Sequence, residues 1–335
     1  MSLPVISIIT PSFQQAAYLP ECIASVSSQS RAITEHIVVD GGSTDGSERI
    51  IRERADQLHW WCSEKDRGQS HAINKGLEHA TGSIFGWINS DDALLPDALH
   101  TVSEAFAQDP ELLIFEGIRM VRQKDGSEEP SPLDDPSDTE ALYYSPKIAQ
   151  QSTFYALDKV NGIGGVDEAL NYVMDYELWL QFLFRYGTDQ LRIEPVRLAL
   201  FRMHEDSKTD TVPDAFVDEM AGVLHGLCCA VELQDLAQLL SVGHELPNGL
   251  RGIPVSMAEQ GRVSRMVVEF LLKWNRVIHS ERRFNAMRMF LSTRHADAHL
   301  LSTEQQERQT VIADQVVGGS WLTFRAKRKW DHLWR

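Results

Sequence analysis

Two adjacent carboxylates, Asp91 and Asp92, closely follow the apolar run Ile84–Ile88. Such a run is typical of a β-strand, and open α/β sheets bind ligands beyond the carboxyl ends of their strands. Neighbouring carboxylates in a partly buried cleft repel each other unless a cation lies between them. Carboxylate oxygens suit Mg²⁺ or Mn²⁺, which also bind substrate phosphates. The pair therefore predicts a divalent-metal site, and the alternative is that one aspartate caps a helix starting near Pro96.

Two further strand-like runs end in polar turns. Val5–Ile9 leads into T-P-S-F at residues 10–13, and Ile37–Val39 leads into D-G-G-S-T-D-G at residues 40–46. Asp40 is placed to accept hydrogen bonds from a base or ribose, and the glycines after it allow close backbone approach. Alone, D-G-G-S would be read as an Asx turn. Because parallel strands end at one sheet edge, the three junctions together predict a nucleotide site.

Short strand and helix patterns alternate over residues 4–120, which indicates a βαβ sheet. A further α/β portion runs from about Ser152 to Met203. Residues 124–140 are acidic and rich in proline without an apolar period, so a loop is expected there, either functional or a solvated surface excursion. The predicted helices are Tyr18–Val26, one ending near Arg54, Gln69–His79, Pro96–Ala107 and Met174–Tyr186.

Helical patterns dominate from about Pro213 onward. We therefore predict two domains, 1–210 and 211–335, the second including helices at Ala215–Leu240, Gly261–Ile278 and Arg282–Leu291. The last segment, W-L-T-F-R-A-K-R-K-W-D-H-L-W-R, combines aromatic and basic residues. It suits either peripheral contact with an anionic membrane surface or a terminal helix that packs its tryptophans on the protein.

The composition of the 335 residues limits the partners of the protein. A net charge of −16 argues against nucleic acid, because phosphate backbones need clustered lysine and arginine. The N-terminus lacks a signal-peptide pattern, and no stretch approaches a transmembrane length. The four cysteines show no CxxC spacing, so we expect buried free thiols in a reducing compartment. The expected location is cytoplasmic, with the inner face of the membrane as an option.

The ordered motifs T-P-S-F-Q-Q, V-V-D-G-G-S-T-D-G-S, E-K-D-R-G-Q-S-H-A-I-N-K-G and W-I-N-S-D-D-A-L-L-P resemble glycosyltransferase family 2 over roughly residues 4–210. The resemblance is strongest to bacterial enzymes that build cell-surface polysaccharide. It implies an α/β GT-A fold, a Rossmann-like mixed sheet flanked by helices, with a C-terminal helical subdomain. It implies a nucleotide-sugar site formed by Pro11, Ser12, Phe13, Asp40, Gly42, Asp66, Gly68, Asn74, Ser90, Asp91 and Arg202.

The same resemblance implies that Asp91 and Asp92 are the pair that meets ribose and the metal-bound diphosphate, with Mn²⁺ or Mg²⁺ as cofactor. Many family members carry an acidic residue where this chain has Asn89, which leaves open which aspartate is the direct ligand. In the segment F-R-M-H, His204 corresponds to a histidine that approaches the metal or diphosphate. Arg202 and His204 would add local positive charge to an acidic protein.

The segment M-D-Y-E-L-W-L resembles the family motif that carries the catalytic base. Met174 stands where a glutamate is usual, so Asp175 is the expected base and Glu177 the fallback. An inverting transfer needs a carboxylate that takes the proton from the attacking hydroxyl. Trp179 shares a helix face with Asp175 at i, i+4 spacing and either packs below the sugar or belongs to the core.

These features predict an inverting, metal-dependent glycosyltransferase that uses a nucleotide-diphosphate sugar, with UDP favoured by the resemblance, and a saccharide or lipid-linked saccharide acceptor. A sugar nucleotidyltransferase is a first alternative. That class normally begins with a Gly-rich, basic phosphate loop, and this chain has T-P-S-F-Q-Q instead. A catalytically silent nucleotide-sugar-binding protein is the second, supported by Met174 and opposed by the intact aspartates.

Overall fold

A computed structural model describes residues 3–29, 31–204, 213–274, 278, 280–293, 303–317 and 319–325. The chain divides into two compact units, one formed by Met1–Leu142 and Pro146–Ser207 and the other by Tyr143–Ser145 and Lys208–Arg335. The domain boundary predicted at 210/211 lies within residues 205–212, outside the described residues.

The first unit is built on a mixed nine-stranded sheet. Its strands are β1 (Ile6–Ser12), β2 (Thr34–Asp40), β3 (Trp60–Ser63), β4 (Ile84–Trp87), β5 (Ala93–Leu94), β6 (Ile114–Arg122), β7 (Glu128–Pro130), β8 (Thr153–Ala156) and β9 (Leu191–Arg202). The strand order is β3-β2-β1-β4-β8-β6-β9-β5, and β7 pairs with β6. β3, β2, β1 and β4 run parallel, whereas β8 is antiparallel to β4 and to β6. The predicted fold class, a mixed sheet flanked by helices with a helical C-terminal part, is confirmed.

Helices flank this sheet. They are α1 (Leu19–Ser27), α2 (Ser47–Glu53), α3 (Gln69–Leu77), α4 (Ala98–Gln108), α5 (Ala141–Tyr144), α6 (Leu157–Ile163) and α7 (Met174–Tyr186). Every residue of β1 is buried, as expected of a central parallel strand covered on both faces. Ile6 and Ile8 share a core with Val102 of α4 and Phe154 of β8, which anchors the strand ends that carry the polar turns.

One predicted loop contains regular structure. Within residues 124–140, Glu128–Pro130 pairs antiparallel with β6, joined to it by a turn in which Gly126 has a φ of 85°. All three residues of β7 are exposed. A strand that buries no side chains leaves no apolar alternation in the sequence, because backbone hydrogen bonds and a surface ion pair between Arg122 and Glu128 hold it to its neighbour.

The second unit is helical where it is described. Its helices are α8 (Pro213–Ala230), α9 (Gln234–Gly243), α10 (Gln260–Lys273), α11 (Glu281–Thr293) and α12 (Thr303–Val316). The single helix predicted over Ala215–Leu240 is wrong, because the chain breaks at Glu232, which has a φ of 60°. There the Leu233 amide donates to the Cys228 carbonyl (2.9 Å), which closes α8 in a Schellman-type turn. Apolar residues continue across the break, so their pattern alone does not reveal it.

A buried polar network joins three of these helices. Asp218 of α8 accepts hydrogen bonds from Arg283 of α11 (2.6 Å), and it contacts the ring of His244, which follows α9 (2.9 Å). Burial is the main cause that lowers the pKa of His244, so this ring contributes a neutral hydrogen-bonding group near pH 7. Such a network fixes the register of the helices.

The described part of the C-terminal segment packs its aromatic rings. Trp321 and Phe324 contact Phe284 of α11, with ring centroids 5.9 and 5.1 Å apart, whereas Leu322 is 74% exposed. The rest of the basic tail, residues 326–335, lies outside the described residues. Among the described helices, none is long and apolar enough to span a bilayer. All four cysteines are free, but Cys229 is exposed, contrary to the expectation that the thiols are buried.

Candidate functional site

The three polar strand ends lie at one edge of the sheet. Ser12 and Asp40, the last residues of β1 and β2, are register partners, and the Gly41 amide donates to the Ser12 carbonyl (2.8 Å). β4 lies on the other side of β1, where the Ile88 amide donates to the Ile9 carbonyl (3.0 Å). The turns that follow β1, β2 and β4 therefore form one crevice at the carboxyl ends of parallel strands.

Asp40 forms the floor of one side of this crevice. Its carboxylate is fully buried and accepts hydrogen bonds from the Ser43 amide (2.9 Å), the Ser43 hydroxyl (2.5 Å) and the Ser63 hydroxyl (2.6 Å). These bonds hold its oxygens in one orientation. Ser12 is buried beside it, and its hydroxyl has no hydrogen-bond partner among the described residues.

Phe13, Gly41 and Asp66 are neighbours above Asp40. A Cβ atom added to Gly41 would lie 2.8 Å from an Asp66 carboxylate oxygen and 3.2 Å from the Phe13 ring. Gly42 has a φ of +81°, a conformation that favours glycine. Phe13 is 60% exposed, which is unusual for a large aromatic ring at the end of a buried strand. An exposed aromatic ring beside carboxylates supplies groups that can stack on a planar base and accept its hydrogen bonds.

The segment that includes Asp66 is fixed by local hydrogen bonds. The Gly68 amide donates to the Asp66 carboxylate (2.9 Å), and Gly68 has a φ of +119°. Asn74 lies further along α3, where its amide nitrogen donates to the Val166 carbonyl and its oxygen accepts from the Val166 amide, each at 2.9 Å. Both polar atoms of the Asn74 side chain therefore hold the loop before α7. The contact of Asn74 with a nucleotide stays a prediction.

Two basic residues of the neighbouring segment, Arg67 and Lys75, form ion pairs with acidic residues. Arg67 pairs with Glu168 and Lys75 pairs with Glu64.

Asp91 and Asp92 occupy different environments. The side chain of Asp91 is 19% exposed, and one of its oxygens lies 2.9 Å from Nε2 of His204. Asp92 is fully buried, and its two oxygens accept hydrogen bonds from the Gln151 side-chain amide (2.8 Å) and from the Arg202 backbone amide (3.1 Å). Burial, followed by the charge of Asp91, raises the pKa of Asp92 well above its usual range. Asp91 thus faces the crevice, whereas Asp92 is built into its wall.

Neither aspartate caps the helix that follows. α4 begins at Ala98, and its N-cap residue is Asp97 with a φ of 60°. The short strand β5 lies between the aspartates and this helix and pairs with β9. The two aspartates therefore lie in the short connection between β4 and β5, so the capping alternative is wrong. Ser90, the residue before the pair, is buried at 3% exposure.

The end of β9 brings an arginine and a histidine to the same crevice. Arg202 is the last residue of β9, and its guanidinium pairs with Glu21 (2.6 Å) and lies 5.8 Å from the ring of Tyr18. The ring of Tyr18 in turn stacks on His204 at 4.8 Å. Arg202 and His204 therefore lie beside Asp91, as the resemblance implies, and neither their sequence spacing nor their chain order indicates this proximity.

The donor set fits a divalent cation that shares its ligands with a substrate. Asp91 offers a hard oxygen and His204 an imidazole nitrogen, both partly exposed and close together. Among the described residues, no three His, Cys, Asp or Glu side chains form a metal cluster by themselves. Mg²⁺ and Mn²⁺ commonly take only one or two protein ligands and complete their shell with phosphate and water.

The helix α7 presents the expected base. Asp175 is the second residue of this helix and is partly exposed, and it accepts a hydrogen bond from the Tyr176 amide (2.8 Å). Glu177 is 1% exposed and accepts from Gln181 (2.7 Å). Trp179 is fully buried and donates to the Leu142 carbonyl (2.9 Å), so it belongs to the core.

The sequence motifs missed a half-buried arginine near Asp92. Arg119 on β6 donates to the side-chain oxygen of Gln151 (3.2 Å), and it interacts electrostatically with Asp92 and Asp175. Glu116, on the same strand, is 1% exposed, and burial raises its pKa to about 8. A glutamate and an arginine inside the otherwise apolar run I-F-E-G-I-R-M-V were the available signal, because buried charges in a strand require partners.

Comparisons with known proteins indicate the family of the chain. The model of the family described as glycosyl transferase family 2 matches residues 7–164. The chain is 30% identical to an uncharacterised glycosyltransferase of Mycobacterium tuberculosis over 184 residues, 54% of this chain and 69% of the relative. It is 34% identical over 134 residues to TuaG of Bacillus subtilis, whose name assigns it to teichuronic acid biosynthesis, and this match covers 39% of this chain and 51% of TuaG. The crystal structure of residues 1–349 of Staphylococcus aureus TarS in complex with UDP-GlcNAc is similar with a TM-score of 0.56 and 16% identity, over 87% of this chain and 81% of that one.

Proposed function

The chain belongs to glycosyl transferase family 2 and is a glycosyltransferase, and we propose that it catalyses an inverting, metal-dependent transfer from a nucleotide-diphosphate sugar to a hydroxyl acceptor. The observation that carries this proposal is the 2.9 Å contact between Asp91 and His204 at the carboxyl edge of the parallel strands, beside Asp40. A crevice of this kind accepts a nucleoside at the Asp40 side and a diphosphate at the Asp91 side.

In this proposal Asp91 and His204 hold Mn²⁺ or Mg²⁺ together with the diphosphate. Asp91, the more exposed of the two aspartates, is the direct ligand, because both oxygens of Asp92 already accept protein hydrogen bonds. The cation, when bound, offsets the negative charge that develops on the departing diphosphate. Arg202 adds a fixed positive charge beside it.

Asp175 is the proposed base. It takes the proton of the acceptor hydroxyl while that oxygen forms a bond to the anomeric carbon, and the bond from this carbon to the diphosphate oxygen breaks. The electron pair leaves with the nucleoside diphosphate, and attack from the opposite face inverts the anomeric centre. The difference in burial supports this choice, because Glu177 is enclosed and hydrogen-bonded to Gln181 whereas Asp175 is partly exposed.

The donor is proposed to be a UDP-sugar and the acceptor a saccharide or lipid-linked saccharide of a surface polysaccharide. The likeness to TuaG supports the polysaccharide part. The alternatives from the sequence have less support. A sugar nucleotidyltransferase is not what the family match indicates, and a silent binding protein, which Met174 alone supports, is opposed by the intact Asp91, Asp92 and Asp175.

A nucleotide panel tests the proposal. The melting temperature of the full chain is measured with UDP, GDP and dTDP, each with Mn²⁺, with Mg²⁺ and with EDTA, because a ligand that binds the native state raises apparent stability. We expect stabilisation by UDP that requires the cation. Stabilisation that is unchanged by EDTA would contradict the metal dependence, and stabilisation by GDP or dTDP alone would contradict UDP.

We also propose peripheral contact of the basic aromatic tail with the cytoplasmic face of an anionic membrane. The sequence supports it through five cations within residues 321–335, and the exposure of Leu322 adds an apolar group. Liposomes that contain anionic lipid should co-sediment the full chain but not a chain ending at residue 325, and neutral liposomes should co-sediment neither. If the full chain and the chain ending at residue 325 co-sediment equally, the alternative is favoured in which the terminal segment packs on the protein.

A further inference from the structure

We infer that Arg119 is a positioning residue for the donor side of the site, orienting Asp92 through Gln151. This inference rests on the proposed function, because it assigns Asp92 to the donor side. It adds a residue from a strand that carries none of the motifs of the sequence analysis.

A continuous chain of contacts leads from Arg119 to the donor aspartates. Its guanidinium donates to the Gln151 side-chain oxygen at 3.2 Å, and the Gln151 nitrogen donates to Asp92 at 2.8 Å. Gln151 is 4% exposed and Asp92 is fully buried, so water does not compete for these bonds. The amide of Gln151 therefore has its orientation set by the arginine, since a guanidinium has donors and no acceptor.

The surroundings hold the guanidinium in place. It lies 5.1 Å from the ring centroid of Phe201 on β9, and the backbone of Arg119 is hydrogen-bonded in both directions to Ser131. Burial lowers the pKa of Arg119, and Asp92, Asp175 and Glu116 oppose this effect in that order. A half-buried cation is costly unless negative groups lie near it, so these carboxyl groups offset part of the cost of burying Arg119.

Glu116 does not compete for that charge near neutral pH. Its pKa of about 8 keeps most of it protonated at pH 7, and the Ala149 amide donates to one of its oxygens at 2.9 Å. Gln151 is the group through which the guanidinium of Arg119 reaches Asp92. One arginine therefore keeps the Asp92 carboxyl group in place as substrates enter and leave.

Three substitutions test this link, with Arg122→Met as the matched control. Arg122 lies on the same strand, and its partner Glu128 is exposed. Gln151→Leu and Arg119→Met each break the hydrogen-bonded link, whereas Arg119→Lys keeps the charge but loses the planar fork. Calorimetry with UDP and Mn²⁺ gives the dissociation constant, and release of UDP from a UDP-sugar at saturation gives kcat.

We expect Gln151→Leu and Arg119→Lys to raise the dissociation constant about 10–100-fold, the usual cost of losing such a supporting contact, with kcat within about tenfold of wild type. Arg119→Met should raise the dissociation constant similarly, again with kcat within about tenfold of wild type, because the orientation of Asp92 concerns donor binding. Adding Gln151→Leu to Arg119→Met should not weaken binding further, since both break one link. The control should match wild type in both quantities.

The inference is overturned if Arg119→Met folds and has the kcat and dissociation constant of wild type. If the Arg122→Met control is itself impaired, Arg119→Met is compared with that control instead. If Arg119→Met does not fold, Arg119→Lys decides, and a wild-type dissociation constant in that variant overturns the hydrogen-bonded link. Binding by wild type is measured first. A wild type that binds no nucleotide overturns the proposed function, whereas variants that behave like wild type overturn only the role of Arg119.

Discussion

Substitution of Asp91 by asparagine should remove the metal-dependent part of nucleotide binding while the fold stays intact. An asparagine at this position would keep the size of the side chain but lose the charge that pairs with a divalent cation. The side chain of Asp91 is 19% exposed, and its partner His204 is itself 11% exposed, so water can replace the contact that the change weakens. We therefore expect an effect on binding and not on the stability of the ligand-free protein.

The magnitude follows from the direct contact proposed for Asp91. Loss of a group that only supports a metal ligand costs about 10–100-fold in affinity, so loss of the ligand itself should cost at least about 100-fold. With nucleotide and Mn²⁺ at about 100 times the wild-type dissociation constant, binding contributes about 2.7 kcal/mol to wild type and about 0.4 kcal/mol to the variant. For 335 residues the entropy of unfolding is about 0.7 kcal/mol/K, which gives about 1.4 °C per kcal/mol, so wild type gains about 4 °C and the variant about 0.6 °C.

The assay is thermal unfolding with and without UDP and Mn²⁺, with Asp97→Asn as the control. Asp97 is exposed, its ion pair with Arg31 is on the surface, and its φ of 60° is a conformation that asparagine also tolerates. The control should gain as much as wild type. A full Mn²⁺-dependent gain in the Asp91→Asn variant would refute the assignment of Asp91 as the direct ligand.

Three further predictions concern the base, a buried acid and the nucleoside side. Asp175→Asn should lower kcat by about 10²–10⁴-fold with unchanged UDP affinity, whereas Glu177→Gln should keep kcat and alter stability by about 1–3 kcal/mol, as kinetics and urea unfolding will measure. The raised pKa of Glu116 means that its contribution to stability is full below about pH 4.5 and is lost as pH rises toward about 8; Glu116→Gln should therefore flatten the decline of unfolding free energy over this window. Gly41→Ala should weaken UDP binding about tenfold, because its Cβ would lie 2.8 Å from an Asp66 oxygen and displace it.

Each of these predictions has a contrary outcome. Loss of turnover in Glu177→Gln with an active Asp175→Asn would make Glu177 the base. An unfolding free energy of the Glu116→Gln variant that falls with pH as steeply as wild type would show that Glu116 does not cause the decline. Wild-type UDP affinity in the Gly41→Ala variant would remove Asp66 from the nucleoside pocket.

The fold class followed from the chain because its signals are local. β1, β2 and β4 are short apolar runs whose polar ends follow immediately, and a parallel sheet brings such ends to one edge whatever lies between them. The helix Met174–Tyr186 was predicted to the residue, since a buried face repeats along it. The exposed strand β7 and the break at Glu232 were missed, because backbone hydrogen bonds and a left-handed residue leave no apolar pattern.

The sequence by itself determined which carboxylates stand at the edge of the sheet and which family they resemble. Tertiary structure alone distinguished Asp91 from Asp92, since burial and hydrogen bonds from Gln151 and the Arg202 backbone depend on strands distant in sequence. It also brought Arg119 to these aspartates. The physical reason is that motifs record residue types along the chain, whereas the state of a carboxylate depends on the charges, donors and water that the folded chain places around it.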